Sequence, residues 1–123
     1  MTLTAHFPTT VGATAGTLAG TVDIVSAKVM RGVVTPTPDA FLVRDARIVT
    51  LPVPADSVGI TVELGPGRVE RLHSQVSLEP CDPDEHSRLL PPGAYELFVR
   101  VLMDVDDGTT VESVGGPWPL RVT

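Results

Sequence analysis

Residues 93–104 read Gly93-Ala94-Tyr95-Glu96-Leu97-Phe98-Val99-Arg100-Val101-Leu102-Met103-Asp104, and this stretch decides the class of fold. Tyr95, Leu97, Val99, Val101 and Met103 recur at every second position, the period of a β-strand that lays one face on a core. The opposite face holds Glu96, Arg100 and Asp104, but also Phe98 and Leu102. A second apolar face must be covered by the chain's own loops or by a partner, so Phe98 and Leu102 form the candidate interaction surface. Asp106-Asp107-Gly108 has the composition of a hairpin turn. Beyond it, residues 111–114 and 118–122 form a last strand pair, or one strand kinked at Gly115-Gly116-Pro117.

The same period recurs upstream. Residues 57–64 alternate with Val58, Ile60, Val62 and Leu64 on one side, and these join Tyr95, Leu97, Val99 and Val101 as the expected core. Residues 41–43 and 48–51 flank Arg44-Asp45-Ala46-Arg47, which reads as a hairpin. Gly65-Pro66-Gly67 is a turn, followed by a strand over 68–78 with Leu72, Val76 and Leu78 sharing a face. Residues 1–7 are a short strand. Residues 20–30 read as another, with a bulge where the apolar phase slips between Ile24 and Val25. Residues 8–19, small and uncharged, are expected as a flexible loop or arm. Asp82-Pro83-Asp84-Glu85 combines a capping residue, a proline at the first helical position and an acid three residues on, so one short helix is expected near residues 83–89. Eight or nine strands at spacings of roughly ten residues predict an all-β sandwich of about seven to nine strands, a single domain over 1–123.

Composition agrees. Val, Ile and Thr number 36 of 123 residues (19, 3 and 14), and such β-branched side chains favour pleated surfaces over helices. Twelve prolines leave few windows for a long helix. A chain of this length buries roughly two-thirds of its unfolded surface and needs no staples. Its single cysteine excludes an internal disulfide framework. A net charge of −6 argues against nucleic acid and against anionic membrane surfaces as partners. Residues 1–22 contain no Lys or Arg, so the basic start of a secretory signal is missing and synthesis in the cytoplasm without a signal peptide is expected.

Leu64-Gly65-Pro66-Gly67 and Leu90-Pro91-Pro92-Gly93-Ala94-Tyr95 resemble the second half of bacterial immunoglobulin-like and fibronectin-III-like sandwiches. In those domains a Pro-Gly-x-Tyr entry opens a core strand. The resemblance covers about a third of the chain and implies an immunoglobulin-like β-sandwich of about seven to nine strands, not an activity. Val43-Arg44-Asp45-Ala46-Arg47-Ile48-Val49-Thr50-Leu51-Pro52 resembles the hairpin and Leu-Pro segment of small β-sandwich virion proteins from phages of actinobacteria, which usually carry Gly where this chain has Ala46. That resemblance implies a virion component.

Chemistry-bearing residues are sparse. Cys81 and His86 would need two more soft ligands to hold zinc, and only His6 and His73 remain. Asp104, Asp106, Asp107, Gly108 and Glu112 evoke a calcium loop, but Gly falls fifth and Glu ninth, where an EF-hand needs sixth and twelfth. A solvated acidic turn is the simpler reading, with a looser surface calcium site as the alternative. No nucleophile elbow, phosphate-binding loop or dinucleotide fingerprint occurs. Trp118, between Pro117 and Pro119, reads as a core or rim plug. The chain is therefore expected to be no enzyme, with no catalytic, cofactor or metal residues. A non-enzymatic structural or accessory module of a larger assembly is expected, such as a phage-type decoration or tail protein located in the virion. The alternative is a stand-alone immunoglobulin-like binding module, adhesin-like, ligand-binding or proteinase-inhibitor-like. Either way the expected partner is a protein or a second copy of the chain.

Overall fold

The computed structural model describes residues 1–53, 58–81 and 89–123, and these residues are all-β, with one three-residue 3-10 turn at Ala13–Ala15. Among the described residues the ten strands are β1 (Thr2–His6), β2 (Thr10–Val11), β3 (Thr17–Val25), β4 (Met30–Val34), β5 (Asp39–Arg44), β6 (Arg47–Ile48), β7 (Ile60–Leu64), β8 (Glu70–Ser77), β9 (Gly93–Val105) and β10 (Thr110–Val122).

The alternation of residues 93–104 becomes β9, and Tyr95, Leu97, Val99, Val101 and Met103 are all buried. β10 runs back along it antiparallel, from Thr110 opposite Asp104 to Val122 opposite Gly93, with a break in register between Gly115 and Trp118. The last segment is thus one kinked strand. The other edge of β9 is divided. β5 takes the first part, with Asp39 opposite Arg100 and Val43 opposite Glu96, and β4 takes the last, with Val34 opposite Met103 and Gly32 opposite Val105. Gly32 is what lets β4 come so close. A Cβ there would overlap the Asp104 carbonyl oxygen and lie 2.9 Å from the Cα of Val105.

The hydrogen-bonded path runs β1-β3-β8-β5-β9-β10-β2, with β7 attached to β4 and β6 to β5. Its two ends, β1 and β2, are joined in the chain by residues 7–9 alone. Seven strands laid flat would hold those ends roughly 29 Å apart at 4.8 Å spacing. The link from His6 to Thr10 spans at most about 14 Å. The sheet therefore curls into a half-barrel, and β1 returns to β10, where the Ser113 hydroxyl donates to the Met1 carbonyl (3.0 Å). Leu3, Val22, Ile24, Leu42, Val62, Leu72, Val76 and Leu120 line the concave side with the β9 residues.

Several expectations need correction. Val58 is 66% exposed, because the strand begins at Ile60 and Val58 precedes it, so its period-2 position carries no burial. Residues 8–19, expected as an arm, carry β2 and the 3-10 turn. β2 pairs parallel with the end of β10, and the Ala13 N–H donates to the Thr123 carbonyl (3.1 Å). No bulge interrupts 20–30. β3 stays in register with β1 through Thr2–Val25, and the apparent slip is the strand's end, where Ser26 Oγ closes a turn on the Lys28 N–H and carbonyl (3.1 and 2.9 Å). The hairpin at 44–47 is as expected, with Asp45 and Ala46 both at positive φ (53° and 62°), as a tight I′ turn requires. The helix expected near residues 83–89 falls almost wholly on 82–88, outside the described residues.

Candidate interaction surface

Phe98 and Leu102 both lie on the convex face of β9, yet they differ in cover. Phe98 is half-buried. Phe41, directly opposite on β5, stacks on it with ring centroids 5.8 Å apart and planes 13° from parallel. Gly116 closes in from β10, where a Cβ would stand 3.0 Å from the Phe98 ring. The chain itself therefore supplies much of the cover for Phe98. Arg100 follows on the same face and pairs with Asp39 (3.5 Å), separating Phe98 from Leu102. Leu102 remains 39% exposed.

Leu102 has company that its own strand does not reveal. Val33 of β4 lies opposite Asp104, and Val114 of β10 lies opposite Arg100, so both share the convex face with Leu102. They are 41% and 53% exposed. Glu112 stands directly across from Leu102. Three adjacent strands thus present an apolar cluster interleaved with the carboxylates of Asp104 and Glu112.

Beside the Phe41–Phe98 stack lies an open groove of about 350 Å³, with Pro38, Phe41, Ile48, Pro52 and Val53 as apolar walls and Gln75 and Arg100 among its polar groups. Its floor is fixed by the buried Thr50, whose Oγ1 accepts the Leu42 N–H (3.2 Å), and by the Val49 N–H donating to the Leu42 carbonyl (2.9 Å). A second depression of about 500 Å³ opens near the junction of β1 and β10, lined by Ala5, Phe7, Leu97 and Trp118. Trp118 is the half-buried rim plug expected, its ring tip against Gly115.

The acidic turn distributes its carboxylates rather than converging them. Asp104 accepts from the Thr110 hydroxyl (3.1 Å), and Asp106 lies 3.7 Å from Arg31. Asp107 accepts from the Thr109 hydroxyl (2.6 Å) and N–H (2.9 Å), which together hold its carboxyl below the usual range. Among the described residues no three His, Cys, Asp or Glu side chains come together as a metal site. Cys81 is exposed, and its neighbour His86 lies outside the described residues. The tightest ionic cluster is one that no local motif signals. Asp23 on β3 faces Arg71 on β8, which donates through Nε and Nη2 (2.7 and 2.9 Å), while His6 Nε2 lies 3.1 Å from the same carboxylate. The Arg71 hydrogen bonds are the largest influence on Asp23, whose pKa falls to about 2. No nucleophile adjoins this cluster in the contacts of the described residues.

No family model matches the chain, and no curated protein does. Among solved structures it is similar to the sporulation control protein Spo0M of Bacillus subtilis (15% identity, TM-score 0.49), spanning 98% of this chain and 48% of that one. It is also similar to a mutant β-glucosidase of Listeria innocua solved with laminaribiose (13% identity, TM-score 0.46), covering 98% of this chain but 16% of the enzyme. The chain thus spans about half the length of the first protein and a small part of the second.

Proposed function

We propose that the protein acts by surface contact, as a non-enzymatic module of a larger assembly, with the convex face of β4, β9 and β10 as its contact surface. The observation that carries this reading is the clustering of Val33, Leu102 and Val114, each more than a third exposed, on three neighbouring strands of one face. Exposed apolar residues scattered singly are ordinary, whereas a cluster rimmed by polar groups marks a contact surface. The finer form of the proposal is an immunoglobulin-like sandwich serving as a phage-type decoration or tail protein. Its support is the resemblance of residues 43–52, whose hairpin geometry is now explicit. The test is sedimentation of extract from the source cells. The protein is expected to travel with a particle far larger than its own 13.0 kDa. Migration as a free monomer contradicts the assembly reading.

A second reading, a stand-alone binding module, is favoured by the groove beside Phe41, whose apolar walls and few polar groups suit a small ligand or a peptide side chain. Ile48→Lys would fill that groove with charge and leave the convex cluster intact. Loss of particle association through Leu102→Ser but not Ile48→Lys supports the first reading, and the reverse supports the second.

A further inference from the structure

Resting on the contact-surface reading, we propose that the partner docking on Val33, Leu102 and Val114 is a protein segment whose apolar residues are flanked by Lys or Arg, and not a second copy of this chain. The charges around the cluster are unevenly satisfied. Arg100 is engaged by Asp39, and Arg31 is shared between Glu63 (3.8 Å) and Asp106 (3.7 Å). Among the described residues, the two carboxylates nearest the apolar side chains have no cation. Asp104 accepts only the Thr110 hydroxyl, and Glu112 has no ion-pair or hydrogen-bond partner among the described residues. Glu112 stands opposite Leu102 and Asp104 opposite Val33, so two of the three apolar residues have an anion directly across, while Val114 faces the Arg100 that Asp39 engages. Docking an apolar surface here excludes water from both carboxylates, and a charge that loses water without gaining a partner is costly.

A basic side chain on the partner removes that cost and steers the encounter toward a molecule of net charge −6. A second copy meeting this face with its own supplies no free cation to Asp104 and Glu112, since its Arg31 and Arg100 are already engaged by Glu63, Asp106 and Asp39, and it brings two more unpaired carboxylates to the contact. Like charges brought together in this way select against self-association.

The proposal is tested with two synthetic amphipathic helices, one with a leucine stripe edged by lysine and one with the same stripe edged by glutamate. Each is titrated into the isotopically labelled protein and followed by amide chemical shifts. The Leu/Lys peptide is expected to perturb the amides around Val33, Leu102 and Val114, and the Leu/Glu peptide is not. Asp104→Asn combined with Glu112→Gln should weaken Leu/Lys binding about tenfold at low salt, and much less at high salt, where exposed charges are screened. These substitutions conserve shape, so they test the proposal even if Leu102→Ser disturbs folding. If the charge variant binds like wild type while Leu102→Ser binds about tenfold more weakly, the basic-partner proposal fails and the contact surface stands. If neither variant changes binding, or the perturbed amides lie elsewhere, both fail. A wild-type dimer in sedimentation that Leu102→Ser dissociates overturns the proposal in favour of a second copy.

Discussion

Ala46 sits at φ 62°, beside Asp45 at φ 53°, in a turn whose backbone asks for glycine. An L-residue in the left-handed region costs roughly 1–2 kcal/mol, partly offset by the extra unfolded-state freedom that glycine would bring. Ala46→Gly is therefore expected to raise stability by about 0.5–1 kcal/mol, read as a higher urea midpoint with an unchanged slope; a lower midpoint would show that the turn is held by something other than its backbone. Asp23 illustrates the opposite case, a residue whose state is set by distant partners. Its pKa is lowered to about 2 in the folded chain by Arg71, from an ordinary value of 3.8. A depressed carboxylate contributes stability above the unfolded pKa and loses it as pH falls through the folded one. Stability from this pair should be complete above about pH 5 and decline between about pH 4 and 2. Because Arg71 is exposed, solvent screens the pair and keeps its contribution small. Asp23→Asn should remove it at neutral pH and flatten that part of the acid slope; a slope identical to wild type would assign acid sensitivity to other groups.

At the scale of elements, β9 holds the structure together, since β5, β4 and β10 all pair with it. Leu97, 1% exposed at its centre, should cost about 3 kcal/mol when truncated to Ala. A loss under half a kcal/mol would mean that β9 faces the other way. Gly32→Ala forces a Cβ onto the Asp104 backbone, which cannot rotate aside as a side chain can. About 1–3 kcal/mol should be lost, with the largest amide shifts in β4 and around residues 103–105. A silent Gly32→Ala would show that the two strands are not so close. β9 was legible from sequence because Tyr95, Leu97, Val99, Val101 and Met103 recur at every second position, a period that needs no knowledge of neighbours. β2 was not, since two residues paired parallel with the far end of the chain leave no local period. Val58 misled for the related reason that alternation can continue past the end of a strand.

At the scale of the whole molecule, the all-β class and the turns were readable from β-branched content and Gly/Pro placement, but the curl of the sheet was not. It follows from long-range pairings that bring β1 and β2 to opposite ends of one path. The candidate surface was legible by half. Phe98 and Leu102 stood out together on one strand, yet their difference depends on Phe41 and Val33, supplied by strands remote in sequence, and on Val114 of the next strand. Phe98→Ser should accordingly impair folding, whereas Leu102→Ser should leave it nearly intact and impair contact. The most direct measurement is the fraction of wild-type and Leu102→Ser protein that sediments with a particle from the source cells, alongside their melting temperatures. Wild type should sediment with the particle, and Leu102→Ser should be released about tenfold more readily while melting within a few degrees of wild type. Equal retention of the two, or a wild type that never leaves the monomer fraction, would contradict the claim that this face makes the contact.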